Sequence, residues 1–338
     1  MKEVKLEESA YQFDAKMSLK QAIPLGLQHV CAMFVGNLTP LLIITSACGI
    51  AGGEFADLQV TLLQSAMFVA GVVTLVQLFT IGPVGGSVPI IMGTSSGFIG
   101  VFNSVVGSMG GGVLAYGAIM GASIIGGIFE SVLGFFLKPL RKFFPPVVTG
   151  PIIISIGLIL APSAIKNCQT NWLLAFVALG VVIICNIWGK GMVKILPILI
   201  GVLVSYAVAL VTGAVDFQKI ADAAWFGIPL HKEAMGLFAI DGSPEFISAL
   251  FTIIPIALAT MMEHVGDIAA ISATVGHNYI NDPGLNRTLL GDGLATTMAG
   301  LLGGPANTTY GENTGVLALS KIYDPLVIRI AAVLAIIL

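Results

Sequence analysis

Five carboxylates stand in stretches of the chain that are otherwise apolar: Glu130, Glu263, Asp267, Asp292 and Glu312. A charge at the centre of a bilayer costs at least about 2.5–3.5 kcal/mol on insertion scales, so such residues are expected to have a role. Glu263 and Asp267 are four apart in "EHVGD", which places them on one face of a helix. Two close carboxylates repel when both are ionised, so one tends to keep its proton, and the pair is a candidate proton site. The bland alternative has Asp267 at a helix end, meeting only water. His264 follows Glu263 directly but lies about 100° round the helix. That suits a packed or hydrogen-bonding histidine better than a proton relay. Gln28 and His29, in the first apolar stretch, can hydrogen-bond across to a core in a structural or a functional role. Glu130 in "GGIFESVLG" reads as structural or interfacial, two turns before Lys138. Asp292 in "LLGDGLATTMAG" falls near a span start and reads as a helix cap or a partner for Arg287. Glu312 lies in "NTTYGENTGV" (307–316), a stretch with the composition of a surface turn.

The surrounding chain explains why such a turn needs explaining. Of 338 residues, 56% are hydrophobic and only 10% are charged, against about 25% charged in a soluble domain. Residues 58–129 hold no Asp, Glu, Lys, Arg or His, and further uncharged runs cover 30–53, 143–165, 167–189 and 195–215. A bilayer core takes about 20 apolar residues per helix, so the chain reads as an all-α polytopic membrane protein. Spans are expected near 22–47, 59–80, 113–138, 146–163, 171–188, 192–212, 244–274 and 286–303, with a last one starting near 324. Broken elements are expected near 88–107 and 305–322. The mixed-charge segment 1–20 reads as a cytoplasmic arm and carries Lys2, Lys5, Lys16 and Lys20. The basic loops with Lys138, Arg141, Lys142 and with Lys190, Lys194 then also fall inside. The 213–243 loop falls outside. No signal peptide is expected. Cys31, Cys48, Cys168 and Cys185 lack CxxC spacing and read as small core residues.

The two broken elements echo one another. In "VPIIMGTSSGFIGVF" (88–102) and "GGPANTTYGENTGVLALS" (303–320), Thr94, Gly100 and Val101 fall on Thr309, Gly315 and Val316, an offset of 215 residues. "LQHV" (27–30) and "MEHV" (262–265) form a second echo at 235 residues. Seven spans separate the copies, which makes the repeat an inverted one. Secondary transporters built this way place their sites where interrupted elements meet near the midplane. "NTTYGENTGV" therefore reads as a broken-helix substrate site, against the alternative of a loop without ligand. The first repeat covers 21–212 and the second starts at 244, so it should run to about 435. The segment 244–338 reads as an incomplete second repeat, C-terminally truncated by roughly three spans. No Walker motif, paired metal histidines or nucleophile elbow is present, so an enzyme is not expected, and neither is a metal or a nucleic-acid partner.

"LQH", "EHVGD", "DPGLNRTLLGDGLATTMAGLLGG" and "NTTYGENTGV" together resemble the nucleobase–cation symporter-2 family, also called the nucleobase–ascorbate transporters. The segment 307–316 looks most like the bacterial uracil-transporting branch. The resemblance covers nearly the whole chain. It implies a 14-span fold of two inverted seven-span repeats, about 11 spans of it present, with two broken helices preceded by short strands and a division into core and gate. It implies proton-coupled uptake of uracil across the inner or plasma membrane, with the proton as coupling ion, no cofactor, lipid around the chain and a homodimer left open. Carried over by motif, Glu263 and Glu312 bind the base, and the backbone at Tyr310 and Gly311 closes the pocket beside Thr94 and Ser96. Proton coupling falls to Glu263, Asp267 and His264. Gln28, His29, Asn313 and Thr94 support the site.

Two departures matter. Uracil-type relatives carry a histidine where this chain has Asp267, whereas purine-type relatives carry aspartate, which keeps a xanthine-like substrate open. An aromatic residue is usual at Ser96, and Phe98 is expected to stack on the base instead. Two other classes compete: an anion exchanger or channel of the same architecture, and a non-transporting fragment. An anion site calls for cations, while the nearest charges are Glu263 and Glu312.

Overall fold

The computed structural model describes residues 17–136, 151, 154, 158, 161–162, 164–215, 227 and 229–338. The arm up to Lys16, the basic cluster Lys138, Arg141 and Lys142, and most of the expected span at 146–163 lie outside the described residues.

The helices are α1 (Leu19–Ala47), α2 (Ala56–Leu78), α3 (Ile99–Met109), α4 (Gly112–Phe135), α5 (Trp172–Trp188), α6 (Met192–Ile195), α7 (Pro197–Val211), α8 (Pro244–Val275), α9 (Leu285–Leu302), α10 (Gly311–Ser320) and α11 (Pro325–Ile337). Two three-residue strands, β1 (Met92–Thr94) and β2 (Asn307–Thr309), precede α3 and α10. Among the described residues, α1, Gly53–Leu78, α4 and α8 are long and apolar enough to cross a membrane. The chain is a multi-pass membrane protein in which both expected broken elements take a strand-then-helix form. Local sequence explains the element ends. Ser243 Oγ accepts from Phe246 N (3.1 Å) and caps α8. Nearby, exposed Asp241 accepts from Ser243 N (2.9 Å), which holds its carboxyl below the usual range. The expected span at 192–212 is interrupted at Leu196 (φ −116°, ψ 44°). Pro197 imposes this, because it lacks an N–H and pushes the preceding residue out of helical geometry.

The described chain forms two compact units, one of Met1–Gly157 with Leu230–Leu338 and one of Leu158–Pro229. In the smaller unit, α5 and α7 cross at Gly201, which faces the Val182 side chain and the Ala178 carbonyl. Ser205 Oγ donates to Leu174 O there (3.1 Å).

In the larger unit, β1 and β2 pair antiparallel, with Met92 opposite Thr309, Gly93 opposite Thr308 and Thr94 opposite Asn307. Ser95 N donates to Ala306 O (2.8 Å) at one end, and Tyr310 N donates to Ile91 O (2.9 Å) at the other. Under the 215-residue offset these two bonds exchange places, so the two-fold axis falls on the Gly93–Thr308 pair. An even offset would map hydrogen-bonded pairs onto non-bonded ones, which an antiparallel ladder forbids.

A two-stranded sheet inside a membrane has two open edges and no water to satisfy them. Side chains of the flanking helices do so here. Thr74 Oγ1 of α2 accepts from Met92 N (2.9 Å), and Asn37 Oδ1 of α1 accepts from Thr94 N (2.8 Å). On the other edge, Thr296 Oγ1 of α9 accepts from Asn307 N (3.2 Å) and donates to Asn307 O (2.8 Å). Met92 and Asn307 are related by the same offset, so Thr74 and Thr296 are two-fold-related clamps. The structure thus gives the repeat a physical form at its centre.

Candidate functional site

A cavity of about 320 Å³ opens where the two broken elements meet. Thr94 and Ser96 line it from the first element, Thr308 to Glu312 from the second, Glu263 and Asp267 from α8, and Gly36 from α1. The pairing of β1 with β2 sets the two helix starts on either side of the space. Ser95 organises the first start, its Oγ accepting from Gly97 N (3.2 Å). Tyr310 joins the two elements, because its hydroxyl donates to Thr94 O (2.9 Å). Its ring lies directly over Gly93, where a β-carbon would come within 2.5 Å of Cζ. Only glycine lets the ring settle there.

Three carboxylates gather around the start of α10. Glu312 stands in its first turn, where the unpaired N–H groups and the helix dipole favour negative charge. Asp267 lies beside Gly311, whose β-carbon would sit 3.3 Å from Asp267 Oδ1. Glu263, one turn earlier on α8, faces the same space. No lysine, arginine or histidine lines the cavity among the described residues, and no group of residues there is arranged to hold a metal ion. The site therefore offers carboxylates to accept hydrogen bonds and backbone N–H groups at a helix start to donate them. A flat, neutral ring bearing N–H beside C=O meets both demands. An anion meets three carboxyl groups and no cation among the described lining residues.

The residues singled out in the sequence divide into two groups. Glu263, Asp267, Glu312, Tyr310, Gly311, Ser96 and Thr94 line one cavity. Phe98 does not. On its 3₁₀ turn it points into the apolar core, fully buried and stacked on Phe102 (5.8 Å between ring centres). The expectation that it stacks on a base in place of an aromatic at 96 is corrected, because packing claims the ring. His264 also turns away from the cavity. It is fully buried, with Nδ1 2.8 Å from Thr309 Oγ1 and 3.4 Å from Asp292 Oδ1. His29 and Gln28 are buried on α1 and do not line the cavity. Asn313 Nδ2 donates to His29 O (2.9 Å) and lies 3.1 Å from His29 Nδ1, tying α10 to α1. Asp292 neither caps its helix nor pairs with Arg287. It is buried mid-helix, while Arg287 donates to the carbonyls of Gly82 and Gly85. Glu130 is fully buried beside Asp292 rather than at an interface.

Sequence reasoning missed the clamps Asn37, Thr74 and Thr296. A search for charges inside apolar runs passes over uncharged hydrogen-bonding side chains. Their signal was available as single polar residues in helices with no water to meet them.

A family model described as "Permease family" matches residues 20–338. The chain belongs to this permease family. It is a transport protein and not an enzyme. The permease is 34% identical to a uracil permease of Bacillus caldolyticus, over 94% of this chain and 70% of that protein. It is 38% identical to a probable uracil permease of Pasteurella multocida, over 81% of this chain and 65% of the relative. A putative purine permease of Clostridium perfringens is 34% identical over 97% of this chain and 71% of its own length. The permease thus spans about two thirds of the length of these relatives. Its fold is that of the transmembrane domain of a cyanobacterial bicarbonate transporter, BicA. The TM-score is 0.64 at 18% identity, covering 95% of this chain and 83% of that one. A shared fold does not carry a shared substrate, and the acidic cavity argues against an anion here.

Proposed function

We propose that this permease takes up uracil together with protons across the inner or plasma membrane, its N-terminus on the cytoplasmic side. The observation that carries the reading is the pair Glu263 and Glu312 facing one cavity beside the start of α10, with no cation in the lining. Each carboxylate accepts a hydrogen bond from a ring N–H, and the N–H groups at Gly311 donate to a ring carbonyl. A carboxylate facing a neutral base is poorly solvated, and a proton taken from outside relieves that cost. Binding of base and binding of proton then favour one another, which is the thermodynamic condition for symport. The proton is the coupling ion and no cofactor is needed. The names of the Bacillus and Pasteurella relatives point to the same base.

A purine such as xanthine is the second reading. Asp267 and the small Ser96 both favour it, each leaving room or an acceptor that a uracil-type site fills otherwise, and one relative is named a purine permease. Uptake of labelled uracil into vesicles under an imposed pH gradient, with unlabelled bases competing, separates the two. Uracil competing at least tenfold better than xanthine supports the first reading. The reverse order overturns it in favour of the second, and uptake indifferent to the pH gradient removes the proton coupling.

A further inference from the structure

A second group of ionisable side chains lies outside the cavity, where α4, α8 and α9 pack together. Helices α4 and α9 meet through glycines. A β-carbon on Gly127 would strike Gly293 O and Thr297 Oγ1, and one on Gly293 would strike Gly127 O and Ser131 Oγ. Small residues at such a seam let the backbones approach closely, and the approach excludes water. Glu130 and Asp292, just beside these glycines, are both 0% exposed, and their helix turns touch at the seam, where Ser131 Oγ stands 3.5 Å from Leu290 O. None of their four carboxyl oxygens receives a hydrogen bond from any other described group. The titratable groups facing the pair come from α8. His264 has its Nδ1 3.4 Å from Asp292 Oδ1, Glu263 precedes it on α8, and Asp267 lies one turn beyond Glu263. No lysine or arginine pairs with either carboxyl among the described residues.

Two adjacent carboxylates cannot both be ionised in a dry seam with no cation. A single charge there already costs several kcal/mol without a partner, as an order of magnitude. One proton resolves the arrangement, because a carboxylic O–H donating to a carboxylate forms a strong charge-assisted bond. The remaining negative charge faces the imidazole of His264. That imidazole, fully buried with Nε2 free of any described partner, also touches Thr309 Oγ1 at 2.8 Å. Thr309 is a wall of the cavity. A polar line therefore runs from cavity to seam through Thr309, His264 and Asp292 to Glu130.

We propose that Glu130 and Asp292 share one proton and act, through His264 and Thr309, as a buried proton store that serves the proton step of transport. The inference rests on the symport reading above and adds a site that this reading does not contain. Glu130 and Asp292 are positioning residues. They touch no substrate, and they set the charge that Glu263 and His264 experience.

The test uses the full-length protein in proteoliposomes and separates accumulation from exchange. Glu130→Gln keeps size and a donor but cannot give up a proton. Base binding should stay within tenfold of the parent and exchange of labelled for unlabelled base should persist. Accumulation driven by a pH gradient should fall at least tenfold and lose its pH profile. Glu130→Asp, which keeps a carboxyl, should recover part of it. Unchanged accumulation and pH profile in Glu130→Gln overturns the proposal, and so does a matching loss of binding and exchange, which marks a structural role. If Glu130→Gln does not fold, Asp292→Asn carries the same test. If neither folds, infrared spectra decide. A protonated-carboxyl C=O band at neutral pH that remains when Glu263→Gln and Asp267→Asn remove the titrating carboxyls beside the cavity supports the shared proton, and its absence overturns it. Failure of the symport reading shows separately, as an unsubstituted protein whose uptake ignores the pH gradient.

Discussion

The elements β1–α3 and β2–α10 are built alike, each with three extended residues leading into a short helix that starts beside the cavity. Under the 215-residue offset, Gly93 falls on Thr308, Ser95 on Tyr310, Ser96 on Gly311, Gly97 on Glu312 and Phe98 on Asn313. The backbone is shared and the side chains are not. Ser95 folds back onto its own turn, whereas Tyr310 reaches across the two-fold to Thr94 O. Phe98 fills the core, whereas Asn313 ties its helix to α1. The flanking helices differ in the same way. At the 235-residue offset, Glu263 and Asp267 of α8 correspond to Gln28 and Ala32 of α1. One half supplies frame and a helix start, and the other supplies every carboxylate in the cavity. A symmetric scaffold thus makes a cavity with one wall of carboxylates and one wall without them.

The largest effect is expected from erasing that difference. Glu263→Gln gives α8 the residue α1 already carries, and Glu312→Gln neutralises α10. Each should weaken base binding by at least about 1.5–3 kcal/mol, the value of a hydrogen bond to a charged group. Adding Gly97→Glu to Glu312→Gln should not restore binding, because Gly97 is absent from the cavity lining. Equilibrium binding to the purified full-length protein checks both statements. Parent-like affinity in either glutamine variant removes the assigned roles.

Gly93→Ala comes next. The ring of Tyr310 covers Gly93, while its counterpart under the offset, Ser95, carries no ring and turns its hydroxyl to Gly97 N. That asymmetry explains why one member of the central pair is glycine and the other is not. The ring is also pinned by its own hydrogen bond, so relief by rotation is poor. A destabilisation of about 3 kcal/mol is expected, the upper part of the usual overpacking range. Thermal unfolding in detergent measures it. Adding Tyr310→Ala should make the alanine at 93 nearly neutral, and a full cost persisting there would place the strain elsewhere.

How much of this was legible in the sequence depends on what kind of signal a residue leaves. Charges in apolar runs located Glu263, Asp267 and Glu312, and the echo of Thr94 in Thr309 gave the strand offset. Among the described residues, helix positions followed from apolar run lengths, except at Leu196, where the effect of Pro197 went unread. Direction was harder. Phe98 sits two residues from Ser96 and faces away from the cavity, and its 3₁₀ turn decides this without any compositional trace, whereas the 100° helical step from Glu263 already set His264 apart as a packed histidine. Glu130 and Asp292 lie 162 residues apart. Their meeting depends on the glycine seam between α4 and α9, and no local pattern declares it.

Thr74→Val and Thr296→Val sharpen the comparison at the clamps. Each leaves a buried strand N–H without an acceptor, at a cost of about 1–2 kcal/mol. Thr296 should cost more, because its hydroxyl both accepts from Asn307 N and donates to Asn307 O, whereas Thr74 takes one strand bond. The order is read from unfolding temperatures in one detergent. A larger loss at Thr74 would mean that the two edges are not related as described.

The smallest effect on binding is expected at Asp267, where the two halves differ by a carboxylate set against Ala32. Asp267 lies one helical turn from Glu263 and beside the start of α10. Asn keeps the size of this side chain and one acceptor oxygen, and it removes the titration. Base affinity in Asp267→Asn should therefore stay within about tenfold, or 1.4 kcal/mol. On the symport reading proposed above, the pH dependence of uptake should flatten, because a titratable group beside the cavity is gone. Binding isotherms and uptake rates across a pH series test the two halves of the statement separately. Lost binding together with an unchanged pH profile would make Asp267 a ligand for the base. The charged wall of the cavity would then consist of three contacts rather than two contacts and a proton-tuning neighbour.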